Sequence, residues 1–460
     1  AMLLGDMGAE VWKVEPPGGD PLRRVAPEGI LVEGTGLPFL SEARNRRYAT
    51  LSTEHPEGRA LLRRLAAAAD VVVEVVIEVM NVKKQVYAEL EAIVPAHCLF
   101  FTNTSGLSIT EMAAITKRPE KFIGTHFFNP PRYMKLLEII PIAATSKAVV
   151  ERMAEVGERI VGKGVVYAKD TPNFIGNRIG AFSGAITMRT MVEDGYRIEE
   201  VDQITGPAIG RPKMGTFKLG DLVGLDVMAH VSKNLYESLP PGKERDVFAP
   251  SPFIQQMIKN QWLGLKTKQG FYKKVKGDGK DETLVLDYEK LEYRPQQKAN
   301  FPSLEMAKNI DDVRERVKSF VTSPDRGGQF AWKILKKVLL YSAEKVPEIS
   351  DDIVNIDRAM KWGYNWELGP FELWDAIGLK SSLKKMEKEG DPIPPLVEKL
   401  LSKGYASFYE RKEGHVSYFD LGAGQCLAPI PARLDPPVTR GARPGCEADT
   451  GYPCPGHIGR

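Results

Sequence analysis

Ala60-Leu61-Leu62-Arg63-Arg64-Leu65-Ala66-Ala67-Ala68-Ala69 runs directly into Asp70-Val71-Val72-Val73-Glu74. Alanine, leucine and arginine lose little on entering a helix, whereas a β-branched run favours extended chain, so this stretch predicts a helix closed by an apolar strand. The alternation continues downstream. A helix is expected over 82–93, a strand over 98–102, a polar turn at Asn103-Thr104-Ser105-Gly106, a helix near 110–116, and strands over 122–128 and 136–140. Helix and strand in turn mean an α/β domain. Upstream, residues 1–8 carry a helical apolar pattern. Gly8-Ala9-Glu10-Val11-Trp12-Lys13-Val14-Glu15 then alternates like a strand and is stopped by Pro16-Pro17-Gly18-Gly19-Asp20.

From Asp170 the texture changes to helical spacing with few strand-like runs, which places a domain boundary near Lys169. Inside this mostly α region Phe217-x-Leu219-x-Asp221-x-x-Gly224-Leu225 recurs 154 residues later as Phe371-x-Leu373-x-Asp375-x-x-Gly378-Leu379. Val201-Asp202 upstream of the first copy answers to Ile356-Asp357 upstream of the second, which points to a duplicated helical domain. Between the copies a charged stretch with Gly277-Asp278-Gly279 reads as a hairpin linker. Beyond about Ala428 periodicity is lost and Pro, Gly, Arg and Cys dominate, so a disordered tail is expected. Cys446, Cys454 and His457 in that tail match no common zinc spacing, and no metal site is expected. The organisation read from the sequence is therefore 1–70, 71–169, 170–272, a linker over 273–325, 326–428 and a tail over 429–460.

With 63 Lys+Arg against 60 Asp+Glu the net charge is +3 on 460 residues, which argues against a basic nucleic-acid surface. Val71 to Met80 is cut by Glu74 and Glu78, far short of a membrane span, so no membrane partner is expected. The first residues lack a basic n-region and a long apolar core, and four cysteines form no disulfide framework; both point to a cytoplasmic, reducing compartment.

From about residue 70 to 428 the chain resembles the 3-hydroxyacyl-CoA dehydrogenase family of fatty-acid β-oxidation. The resemblance is carried by Val76-Ile77-Glu78 with Lys83, Asn103-Thr104-Ser105-Gly106, Gly124-Thr125-His126-Phe127-Phe128-Asn129-Pro130, Leu136-Leu137-Glu138 and Asp170-Thr171-Pro172-Asn173-Phe174-Ile175-x-Asn177-Arg178. With Pro131-Arg132-Tyr133 and two helical copies it looks most like the bacterial multifunctional form, without the hydratase domain. The first 70 residues resemble instead the amino-terminal segment of class III CoA-transferases, through Leu4-Gly5-Asp6-Met7-Gly8-Ala9-Glu10-Val11, Lys13-Val14-Glu15-Pro16-Pro17-Gly18-Gly19-Asp20-Pro21-Leu22-Arg23, Asn45-Arg46-Arg47 and His55-Pro56-Glu57-Gly58-Arg59. Ala69-Asp70-Val71-Val72-Val73-Glu74 fits both families, so the chain reads as a chimera joined at a shared string. The dehydrogenase resemblance implies a Rossmann-like domain that lacks its first part, a helical C-terminal domain, NAD as cofactor and an acyl-CoA substrate. It also implies an enoyl-CoA hydratase acting in trans and a homodimer. The rival functions are CoA transfer, for which no nucleophile is present, and an inactive fusion.

Oxidising a secondary alcohol requires a base near neutral pKa to take the hydroxyl proton while hydride leaves the same carbon, and histidine suits that task. On its own, His126 in a strand-like aromatic run reads as a core histidine; the resemblance assigns it the base. Glu138 stands among apolar residues where an unpaired carboxylate is costly, so it needs a partner, either His126 or a salt bridge at the strand end. Ser105 and Asn177 can hold the substrate oxygen from opposite walls, with turn former and helix surface as their plain alternatives. Glu78, Lys83, Asn103 and Ser105 resemble the residues at the nicotinamide end of the cofactor, against a solvated helix-start pair for Glu78 and Lys83. No G-x-G-x-x-G turn follows a strand, since Gly5-x-x-Gly8 and Gly34-x-Gly36 are too sparse. Glu15, at the end of its own strand, imitates the acid that receives the ribose.

Overall fold

The computed structural model describes residues 9–20, 23, 31–32, 35–36, 46–52, 54–276, 282–412 and 415–427. The apolar start over 1–8, the Gly277-Asp278-Gly279 turn and the tail beyond 427 lie outside these residues. Strand β1 (Trp12–Glu15) pairs in parallel with β2 (Arg47–Thr50), and the two form a sheet of their own. Helix α1 (Pro56–Ala66) starts four residues before the alanine run because His55 caps it, accepting from the Glu57 amide, and Pro56 occupies the first turn. It ends at Ala66, where the chain turns into β3 (Val71–Glu74).

The main sheet has five strands in the order β3, β4 (Leu99–Thr102), β5 (Phe122–Phe127), β6 (Leu136–Pro141), β7 (Gly164–Tyr167). Every neighbouring pair is parallel except β5 with β6. Helix α2 (Met80–Glu91) crosses from β3 to β4 and is fixed by Tyr87, which is fully buried and meets Phe122 and Phe100 edge-on at 4.7 and 5.4 Å. Fully burying each such ring contributes roughly 1.5–3 kcal/mol, enough to hold a helix whose own N-terminus has no side-chain cap. β3 is the outermost strand, and Val71 and Val73 stand exposed along it.

The helical region opens with α3 (Gly176–Asp194), which ends at Gly195 in the left-handed conformation. Its two sequence copies build the same hydrogen-bonded frame. Asp202 accepts from the Phe217 and Lys218 amides (2.6 and 3.2 Å) and the Tyr272 hydroxyl (2.7 Å), and Asp221 from the Phe271 and Tyr272 amides (2.8 and 2.9 Å). In the second copy Asp357 accepts from the Phe371 and Glu372 amides (2.8 and 3.0 Å) and the Tyr409 hydroxyl (2.7 Å), and Asp375 from the Phe408 and Tyr409 amides (both 2.9 Å). Each aspartate thus caps a helix start or a strand start whose amides would otherwise be buried without partners. The hairpin linker expected over 273–325 takes a different form. Tyr272–Val275, Glu282–Asp287 and Glu292–Pro295 make a three-stranded antiparallel sheet anchored on Asp221, as Tyr409–Lys412, His415–Asp420 and Gln425–Leu427 make one anchored on Asp375.

Both copies carry their own apolar partners, so residues 170–428 expressed alone should unfold cooperatively on heating. Burial pushes the Asp202 carboxyl up to about 7 against its amide and hydroxyl donors. The folded state therefore binds this proton more tightly than the unfolded chain, and stability falls as pH rises from the ordinary aspartate range through about 7. Asp202→Asn should remove up to about 1.4 kcal/mol per pH unit from that slope. Chemical denaturation at pH 5 to 8 checks this, and a non-cooperative melt or an unchanged slope counts against it.

Candidate active site

The antiparallel register of β5 and β6 sets His126 directly opposite Glu138, so both side chains leave the same face of the sheet. His126 Nδ1 lies 2.6 Å from Glu138 Oε2, and both residues are buried. The other carboxylate oxygen, Oε1, accepts from the Ile175 and Gly176 amides at 3.1 and 2.8 Å, at the N-terminus of α3. A buried carboxylate without such partners would be costly; here two helix-start amides and an imidazole satisfy it. Phe128 and Phe174 pack on the imidazole at 4.7 and 5.6 Å between ring centroids, fixing its plane. Nε2 has no hydrogen-bond partner among the described residues and is the nitrogen left for a substrate.

Ser105 lies exposed in the turn after β4. Its backbone amide donates to Glu78 Oε1 (2.8 Å), and the Thr104 hydroxyl donates to the same oxygen. Glu78 Oε2 faces Lys83 Nζ at 3.2 Å, and Lys83, wholly buried, also donates to Glu74 Oε1 (2.8 Å) and the Val76 carbonyl (3.2 Å). Glu78, Lys83, Glu74 and Thr104 therefore form one network beneath the Ser105 turn. Asn103 bridges β4 and β5, its side-chain oxygen accepting from the Phe127 amide at 3.1 Å. Asn177 follows Gly176 on α3 and donates from Nδ2 to the Ser105 carbonyl at 3.3 Å, so the helix and the turn meet beside the His126–Glu138 pair.

Several supporting residues were not singled out from sequence. Glu74 reads as the end of a valine strand, and no local signal marks it as the partner of Lys83. Asp170 caps the Ser105 segment from 62 residues away, accepting from Ser108 Oγ and the Ile109 and Thr110 amides. Asn234 holds Asn173 Oδ1 (2.6 Å) and the Gly106 carbonyl (3.4 Å), a contact between distant segments that leaves no local signal. Arg178, fully buried, donates to Tyr341 Oη (2.6 Å), Glu244 (2.6 Å) and Glu348 (2.9 Å), and so ties α3 to the second copy.

Glu15 has other partners. Its sheet does not pair with the five-stranded one, and its carboxylate, almost fully buried, takes Arg23 Nε at 2.9 Å and the Asp20 amide at 3.3 Å. No cluster of metal-ligating side chains occurs among the described residues, and none of their helices is long and apolar enough to cross a membrane. Cys446, Cys454 and His457 lie outside the described residues.

Comparison with known proteins places this arrangement. Residues 54–171 match the family model for the 3-hydroxyacyl-CoA dehydrogenase, NAD binding domain, and residues 174–274 match the one for the 3-hydroxyacyl-CoA dehydrogenase, C-terminal domain. Residues 1–97 match CoA-transferase family III, overlapping the first of these. A probable 3-hydroxyacyl-CoA dehydrogenase of Bacillus subtilis is 45% identical over 385 residues, covering 83% of this chain and 48% of that protein. The 3-hydroxybutyryl-CoA dehydrogenase of Bradyrhizobium diazoefficiens is 35% identical over 227 residues, covering 48% of this chain and 75% of that one. The crystal structure of 3-hydroxybutyryl-CoA dehydrogenase from Escherichia coli K12 shares the fold, with a TM-score of 0.59 at 24% identity over 82% of this chain and 87% of its own. The chain spans about half the length of the relatives it matches over most of its own. With a Rossmann-like α/β NAD-binding domain followed by a helical C-terminal domain, it belongs to the 3-hydroxyacyl-CoA dehydrogenase family.

Proposed function

We propose that this chain interconverts 3-hydroxyacyl-CoA and 3-oxoacyl-CoA thioesters, with its proton-handling face intact and its nucleotide cradle incomplete. The observation that carries the reading is the buried His126–Glu138 pair at 2.6 Å with the second imidazole nitrogen left free. In the oxidation direction His126 Nε2 takes the hydroxyl proton, and the carboxylate on Nδ1 stabilises the imidazolium that forms. Glu138 is held in place for that task by its two helix amides. The Asn177 amide and the Ser105 hydroxyl hold the substrate oxygen from opposite sides, so that its proton faces Nε2.

The residues present fit one end of a dinucleotide. Glu78 is a partly exposed carboxylate held by Ser105, Thr104 and Lys83, with lone pairs left to accept a ribose hydroxyl at the nicotinamide end. NAD, when bound, supplies the hydride acceptor. For the pyrophosphate the described residues offer neither a Gly-rich turn nor a strand beyond β3, which borders that side. We read the sheet as a truncated form of the domain, and residues 170–427 as two copies of one helical unit. For CoA transfer, residues 1–97 contribute a match but no reacting group, and that activity is not proposed.

Incubating the chain with 3-hydroxybutyryl-CoA and a large excess of NAD tests the reading. Formation of acetoacetyl-CoA together with NADH is expected. No product at any NAD concentration would overturn it.

A further inference from the structure

The second helical copy carries none of the residues assigned to the chemistry above, yet it touches them. The 155-residue spacing that superposes Asp202 on Asp357 carries Ile209 onto Tyr364 and Gly210 onto Asn365. At this loop Gly210 and Asn365 share a left-handed backbone, with φ of 70° and 54°. Its side chains differ. Ile209 is buried in the core of the first copy, whereas Tyr364 projects a hydroxyl that donates to Asn177 Oδ1 at 3.2 Å.

The approach is built by glycines on both sides. A Cβ on Gly180, one turn along α3 from Asn177, would lie 2.1 Å from the Tyr364 ring, and a Cβ on Gly363 or Gly176 would meet the Phe128 ring at 3.2 or 2.5 Å. The Tyr364 ring meets Phe128 edge-on at 5.8 Å between centroids, and Phe128 packs on His126. The helix that precedes the loop, Ile353–Gly363, is itself docked on the five-stranded sheet. Asn355 Oδ1 accepts from the Tyr167 amide at 3.2 Å, and Trp362 packs so closely on Gly164 that a Cβ there would lie 2.3 Å from the indole. The loop is thus held from the sheet side as well as from α3.

We propose that Tyr364 is a positioning residue for the reaction: it fixes the Asn177 amide so that Oδ1 is occupied and Nδ2 points at the Ser105 turn and the substrate oxygen. An asparagine amide has a twofold choice of orientation, and a single donor on Oδ1 removes it. With Oδ1 taken by Tyr364 and one Nδ2 proton on the Ser105 carbonyl, the remaining Nδ2 proton is the one available to substrate. Burial and the charge of Glu138 hold the Tyr364 phenol well above its ordinary range, so the hydroxyl stays a donor throughout. The duplication thereby serves the chemistry: one copy supplies Asn177, and the other supplies the residue that orients it.

The inference rests on the reading of Asn177 above, and its test separates the two. Tyr364→Phe keeps the ring against Phe128 and Gly180 and removes only the hydroxyl. In protein labelled at asparagine nitrogen, with the Asn177 signal assigned by its loss in Asn177→Ala, Tyr364→Phe should shift the Asn177 side-chain amide resonances and speed their exchange with water. Turnover at saturating cofactor should fall about threefold to tenfold, the range of one ordinary hydrogen bond. If Tyr364→Phe does not fold, the same contact is read from its other end, where Asn177→Ala should shift the Tyr364 Cζ resonance of the otherwise native chain. Unmoved resonances would overturn the positioning role whatever the turnover. Unmoved turnover in Asn177→Ala, with the resonances shifted, would instead overturn the substrate-oxygen role of Asn177 and leave the contact standing.

Discussion

NADH should bind this chain at least about a thousandfold more weakly than it binds a dehydrogenase with a complete Gly-rich turn. The pyrophosphate brings two negative charges whose desolvation must be met by amides of that turn and of the helix behind it. Each charge-assisted hydrogen bond lost costs about 1.5 to 3 kcal/mol, and every 1.4 kcal/mol is a factor of ten, so three such losses already exceed a thousandfold. The nicotinamide end does not compensate, because a carboxylate such as Glu78, proposed above to accept from the ribose, would repel phosphate. Glu15 does not replace the missing half either. Its carboxylate is committed to Arg23 and the Asp20 amide, on a sheet separate from the five strands. Calorimetric titration of the purified chain with NADH checks the expectation. Low-micromolar affinity would show that the amino-terminal segment rebuilds the cradle.

The order of helix and strand was legible as far as β6 because each of those strands is a β-branched or aromatic run; the helix Lys147–Glu155 and the short strand β7 that follow it were not read. The bounds were less legible. The helix before Val71 begins at Pro56, where His55 caps it and the proline suits the first turn, and stops at Ala66 although the alanines that follow favour helix. The family resemblance, carried by continuous motifs, is borne out by the matched family models and relatives. The pairing of His126 with Glu138 was foreseen from the cost of burying an acid among leucine and isoleucine. It became a geometric fact only through the antiparallel register, which no spacing of twelve residues reveals by itself. The duplicated aspartates were visible as a repeat, but their partners Tyr272 and Tyr409 were not, because hydrogen bonds across 70 and 52 residues leave no local pattern. For the same reason Asn234 and Tyr364, each brought to the site from a distant segment, escaped the sequence, and Asp170 was read only as part of a motif, without its contacts to Ser108, Ile109 and Thr110.

His126→Ala should remove nearly all dehydrogenase turnover. Without the imidazole no group at Nε2 takes or returns the proton, and general acid–base catalysis of this kind is worth about 10²- to 10⁴-fold. Glu138→Gln should remove most of it. An amide in place of the carboxylate leaves the imidazolium without its counter-charge; its oxygen stays on the Ile175 and Gly176 amides, so its NH2 faces Nδ1 and donates to it, which puts the ring proton on Nε2 and removes the base. Both variants should keep the sheet, since the strand ladder does not depend on either side chain. The most direct measurement is reduction of acetoacetyl-CoA, followed by loss of NADH absorbance at NADH concentrations raised far enough to load the weakened site, for the native chain beside His126→Ala. Turnover in the native chain and its near-complete loss in the variant is the expected result. Equal rates in the two, or no turnover by the native chain at any NADH concentration, would contradict the assignment of His126 as the proton-transferring residue of this site.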